Sequence, residues 1–189
     1  MKKNHFLVVL ALATISLISY KGFSQETEEI PSVKFSDLDK SPHDITYLRI
    51  DRTSPPLAKV LYGRPQKKDR VIFGGIVPYG KIWRTGANEA TEVTFYKDLE
   101  FGGKSLKAGT YVLHSIPGEK EWTIILNSNL NVWGSFQYDE AADVLRVKVP
   151  VKKDEKSLEA FTIAFRKGKD MAMILAWDTT RVEIPLSFK

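Results

Sequence analysis

The richest chemistry per unit length lies in the run Ile82-Trp83-Arg84-Thr85-Gly86-Ala87-Asn88-Glu89-Ala90-Thr91. An indole, a guanidinium, an amide and a carboxylate stand there around Gly86, which permits a sharp backbone turn. Such a set can form a ligand shelf. Trp83 offers a flat apolar face for stacking, Arg84 a fork for carboxylate or phosphate, and Asn88 and Glu89 partners for hydroxyls or amines. Arg64, in Tyr62-Gly63-Arg64-Pro65, is a second candidate for anion recognition. The same residue types can instead brace the fold, with Arg84 or Arg64 paired to Glu89 and Asn88 bonded to backbone. The two readings differ in one respect: whether Arg64, Trp83, Arg84, Asn88 and Glu89 converge on a solvent-open concavity or on one another in the interior.

Other chemistries are narrowed by composition. The 189-residue chain has no Cys, which removes thiol catalysis, disulfide scaffolds and Cys-ligated metals. Beyond the leader only His43 and His114 are present, with no G-x-S-x-G elbow and no H-E-x-x-H spacing, so no metal or cofactor is expected. His114 alternates onto the strand face of Val112 and Ile116 and reads as a packed histidine, whereas His43 follows Pro42 in a turn. Acid/base work by carboxylates stays open, because Asp and Glu can cleave a glycosidic bond without histidine. Glu89 would then need a partner, for which Asp139, Glu140 and Asp143 are candidates.

The first residues read as an address, not as structure. Lys2 and Lys3 precede the apolar run Phe6 to Ile18, and Gly22-Phe23-Ser24 precedes the polar Gln25-Glu26-Thr27. This is the pattern of a secretory signal peptide over residues 1–24, cut near Ser24/Gln25. The run reaches roughly 20 Å as a helix, short of a bilayer core of about 30 Å. An exported protein, periplasmic or extracellular and soluble without a membrane span, is therefore expected. Removing Lys2, Lys3 and Lys21 from 28 cations leaves 25 against 23 anions, too small an excess for a nucleic-acid binder. Residues 25–40 are polar and patternless and read as a leader to a domain over 41–189.

The elements that must position the shelf follow a period of two. Phe161, Ile163 and Phe165 alternate with polar or small residues, as do Val182, Ile184, Leu186 and Phe188. Similar stretches cover Ile45–Ile50, Leu57–Tyr62, Thr91–Tyr96, Tyr111–Ile116, Trp122–Leu126, Val144–Val149 and Met171–Trp177. Gly102-Gly103, Ala108-Gly109, Pro117-Gly118 and Lys167-Gly168 mark the turns. Asp139 to Asp143 has room for one helical turn. About nine to ten short strands without long helices predict an all-β antiparallel β-sandwich. Pro185, lacking a backbone donor, predicts a sheet edge or bend in the last strand. Gly63 to Ala90 is too long for a hairpin and predicts one long ordered connection. Trp177 alternates with Leu175 and Met173 as a core residue, while Trp133, among Asn131, Gly134 and Ser135, reads as a loop indole.

The motifs Tyr62-Gly63-Arg64-Pro65, Ile72-Phe73-Gly74, Val77-Pro78-Tyr79-Gly80, Trp83 to Thr91, Gly102-Gly103-Lys104, Ala108-Gly109-Thr110-Tyr111, Trp122 to Asn127 and Asp143 to Val147 together resemble the bacterial domain-of-unknown-function family 2911. The resemblance runs from about Phe35 to Phe188. It implies an exported β-rich domain and brings no reaction, cofactor or catalytic residue with it. His43 and His114 stand where the family is usually apolar or aromatic, and Gly63 where a Ser is common.

The functional expectation is an exported envelope module that binds a small carbohydrate or peptide ligand at a polar-aromatic site. A carboxylate-dependent hydrolase is the first alternative. A structural protein that displays its edge strands to a partner is the second.

Overall fold

A computed structural model describes residues 32–189; the signal-peptide expectation lies outside them, as does the beginning of the leader. The body Leu38–Lys189 is one compact unit. Residues 32–40 carry no strand or helix.

The body contains nine strands: β1 His43–Leu48, β2 Ala58–Gly63, β3 Thr91–Phe95, β4 Leu99–Phe101, β5 Lys104–Leu106, β6 Gly109–Ile116, β7 Glu121–Asn127, β8 Asp143–Arg166 and β9 Ala172–Phe188. Their order is β1-β2-β3-β6-β7-β8-β9-β4-β5, antiparallel throughout. The sheet is open and folds over on itself as an all-β sandwich. The means is β8, whose first part, to Pro150, pairs with β7 and whose remainder pairs with β9.

Alternation decides which face is which. Val93 and Phe95 of β3, Leu113 of β6, Trp122, Ile124 and Leu126 of β7, and Leu145, Val147 and Val149 of β8 point inward and are buried. Phe161 and Ile163 of β8 and Met173, Leu175 and Trp177 of β9 belong to the same core. At roughly 1.5–3 kcal/mol per fully buried large apolar side chain, this layer-on-layer contact is the main stabilising term.

Two expected pairs of strands are each one continuous strand. Val144–Val149 and Phe161–Phe165 lie in β8, and Met171–Trp177 and Val182–Phe188 fall largely in β9. Between the two apolar halves of β8, Lys152 to Glu159 is mostly exposed and its register slips twice, so no apolar rhythm marks an extended backbone there. Pro185 sits between two ladders: pairing to β8 ends at Val182, and pairing to β4 starts at Leu186. Its missing donor removes no rung, and its carbonyl accepts from the Gly102 amide at 2.8 Å.

Gly102 and Gly103 form the β4–β5 turn with φ of 57° and 80°, a left-handed pair that glycine adopts without steric cost. The long connection after Gly63 is ordered and laid over the sandwich. Isolated bridges join Gln66 to Ala160, Trp83 to Ser115, and Glu89 to Trp133. Ile72, Val77, Trp83 and Thr85 are its buried anchors.

Candidate functional site

Trp83 is carried into the body by backbone pairing with Ser115, its amide donating at 2.8 Å and its carbonyl accepting at 3.0 Å. The indole is 8% exposed. It stacks on Trp177 at 6.2 Å and 17°, and Phe73, Trp122 and Phe161 meet it edge-on. Each such aromatic pair adds about 0.5–1.5 kcal/mol beyond area burial. Its Nε1 donates to the Gly86 carbonyl at 3.2 Å, which curls the following residues back over the ring. Thr85, held at φ 56°, is fully buried, and its hydroxyl bonds Ser115 Oγ at 2.9 Å. Thr91 Oγ1 donates to the Thr85 carbonyl at 2.7 Å. The turn Trp83–Thr91 is thus fixed from both ends, and the side chains between them are presented by a rigid frame.

Under that frame lies a cavity of about 330 Å³. Trp83 and Trp177 with Ile76 and Val77 supply its apolar lining, and Ser41, Arg70, Arg84 and Asn88 its polar groups. Among the described residues its lining contains no carboxylate. Arg70 is held by its own segment, Nε donating to the Lys67 carbonyl at 2.9 Å and Nη2 to the Gln66 carbonyl at 2.5 Å. Arg84 differs. Its Nε is buried and has no hydrogen-bond partner, and burial pulls the guanidinium below its ordinary value. It remains a cation at neutral pH, because arginine does not lose its proton in proteins. None of the ion pairs among the described residues uses it.

The five residues singled out by sequence do not share one place. Trp83, Arg84 and Asn88 line this cavity. Asn88 Nδ2 donates to Asp39 Oδ1 at 3.1 Å and approaches the Ser41 carbonyl at 3.5 Å. Arg64 is a brace: Nη1 meets Asp44 Oδ2 at 3.1 Å, Nε the Phe161 carbonyl at 3.2 Å and Nη2 Thr162 Oγ1 at 3.0 Å. Glu89 turns away to a second concavity of about 240 Å³, shared with Leu61, Glu92, Asn131 and Trp133, whose indole is 60% exposed. The expected Arg–Glu bracing pair is thus replaced by Arg64–Asp44.

Asp139, Glu140 and Asp143 do not face Glu89's concavity. Asp139 caps the 3-10 turn Glu140–Ala142 through the Ala141 amide at 2.9 Å. Asp143 and Glu140 hold Arg146 at 2.6 and 3.0 Å, and Tyr138 donates to Asp143 at 2.7 Å. Burial first, then the Asp143 carboxylate, push the Tyr138 phenol up to about 12. His114 is 1% exposed beneath Tyr138, ring centroids 5.1 Å apart, with Nδ1 unpartnered. Burial lowers its affinity for a proton, against a smaller opposing pull from Asp143. Among the described residues no group of three or more His, Asp and Glu is placed to hold a metal ion, and no helix is long and apolar enough to cross a membrane.

Ser41, Arg70 and Trp177 complete the cavity without having been recognised as site residues. They come from the leader junction, from the long connection and from β9, so nothing local in the sequence joins them.

The chain belongs to the family described as Protein of unknown function (DUF2911), which matches residues 41–186. No curated protein and no solved structure matches it.

Proposed function

We propose that this protein is an exported binding module that holds a small anionic ligand in the cavity beneath Arg84. One observation carries the reading: a half-buried guanidinium whose Nε has no protein partner, in a concavity without a carboxylate. A desolvated donor left unbonded costs about 1–3 kcal/mol, more when charged, and Arg84 brings that unspent charge to the cavity wall. The guanidinium of an arginine is a planar fork of donors that matches carboxylate or phosphate oxygens side-on. The apolar lining from Trp83, Trp177, Ile76 and Val77 suits a ligand whose anionic head is joined to a compact carbon body, as in a peptide end or a sugar acid. A volume of about 330 Å³ falls at the small end of ligand cavities. Export is supported by the signal-like pattern of residues 1–24.

The test is titration with small oxyanions, followed through the fluorescence of Trp83 and Trp177, on the wild type and on Arg84→Ala. The variant is expected to fold and to lose about 2–5 kcal/mol of binding. Equal affinity in the two proteins would refute the role of Arg84.

A further inference from the structure

Leu38 to Ser41 runs beside the Arg84 cavity, which Ser41 lines, as a strap with little to hold it. Leu38 is 96% exposed and gives it no apolar anchor. Its attachment to the Trp83–Thr91 turn is through the Asn88 amide, at 3.1 Å from Asp39 Oδ1 and 3.5 Å from the Ser41 carbonyl. The same Asp39 oxygen accepts the Ser41 amide at 2.6 Å, which folds the strap back on itself. Ser41 and Asn88 both line the cavity. The cavity's own amide donor is therefore engaged by a carboxylate of the chain.

We propose that Asp39 is a built-in stand-in for the ligand: its carboxylate occupies, at the Asn88 amide, the place that a ligand carboxylate takes when the strap Leu38–Ser41 is released. This rests on the Arg84 reading and extends it in two ways. It names the ligand head as a carboxylate, because a carboxylate oxygen is what the Asn88 amide already receives. It also makes access to the cavity a competition, since the Asn88 amide cannot serve both partners fully. The Ser41 and Asn88 bonds hold the Asp39 carboxyl below the usual carboxylate range, so the stand-in is ionised at neutral pH. An exposed strap secured by so few polar contacts opens locally without disturbing the sandwich.

The full chain, its Asp39→Ala and Asp39→Asn variants and Arg84→Ala are titrated with acetate, N-acetyl-alanyl-alanine, glucuronate and inorganic phosphate. Exchange of the Ser41 amide proton is followed by NMR. Release of one charge-assisted contact predicts that Asp39→Ala binds the carboxylate probes about 3- to 10-fold tighter. In the wild type, saturation with those probes is expected to speed exchange at Ser41. N-acetyl-alanyl-alanine against glucuronate separates a peptide end from a sugar acid as the source. Unchanged affinity in Asp39→Ala, with binding that still depends on Arg84, overturns the strap alone. Tighter binding in both Asp39 variants with Ser41 exchange unaffected by ligand reduces Asp39 to a remote charge and also overturns it. Phosphate bound in preference to every carboxylate overturns the stand-in. No binding by any variant overturns the Arg84 reading itself.

Discussion

Arg64 and Asp44 meet at 3.1 Å where the end of β2 passes the second half of β8. Two further donors of the same guanidinium bond the Phe161 carbonyl and the Thr162 hydroxyl, so one side chain ties the end of β2 to β1 and β8. Both members of the ion pair are more than a third exposed, which limits the pair itself to about 0–1 kcal/mol. Arg64→Ala is expected to lower stability by about 1–2 kcal/mol once the bonds to β8 are included. Affinity for small oxyanions should stay within about twofold of wild type, because this arginine is already satisfied by the protein. Urea denaturation and fluorescence titration check the two halves. A large fall in affinity at unchanged stability would restore Arg64 to the binding site.

Gly63 lies against the carbonyl of Ala87, closer than any Cβ could be tolerated. The obstructing atom is backbone, so it cannot rotate aside. Gly63→Ala should push the Gly86–Asn88 turn away from β2, at a cost of about 1–3 kcal/mol from overpacking. Because Asn88 moves with that turn, oxyanion affinity should fall with stability. Thermal melting and titration of the same sample decide the matter, and wild-type values in both would show that the turn yields freely.

His114 gives the fold a pH dependence with a definite sign. Its proton affinity is lowered by burial from the ordinary value of 6.5, so the unfolded chain binds that proton more readily than the folded one. Stability is then greatest above about pH 6.5 and falls as the pH drops toward the lower folded-state value. Asp143 and Arg146 lie on the strand that pairs with β7, and the Tyr138 ring covers the imidazole. Carboxylates whose proton affinity is depressed, such as Asp98, Asp178 and Glu183, contribute at lower pH. Melting temperature should therefore decline between about pH 7 and 5 in the wild type and much less in His114→Phe, which keeps a ring under Tyr138. Parallel declines in both proteins would assign the effect elsewhere.

The sandwich was legible because each strand that faces the core on one side writes a period of two. Val182, Ile184, Leu186 and Phe188 are an example. The continuity of β8 was not, since residues exposed over a long stretch leave no rhythm whether the backbone is extended or looped. The concentration of chemistry at Trp83–Asn88 was visible as residue types, and three of the five named residues do line one cavity. Their division of labour was invisible. Whether an indole in an irregular segment stacks on a ligand or on Trp177 depends on a residue in β9, and the partner that occupies Arg64 comes from β1. Arg70 and Ser41 are remote from the motif, and their place depends on how the long connection drapes.

Strand β8 serves both layers without interruption, so neither layer is a separable half. Chain cut or melted within β8 would strip pairing from β7 and β9 together. Such wiring makes the loss of the scaffold an all-or-none event, while the exposed strap Leu38–Ser41, tied to the Trp83–Thr91 turn through Asn88, can loosen on its own. The molecule thereby separates endurance from responsiveness: a frame that fails only as a whole carries, beside the cavity, a strap that can yield by itself.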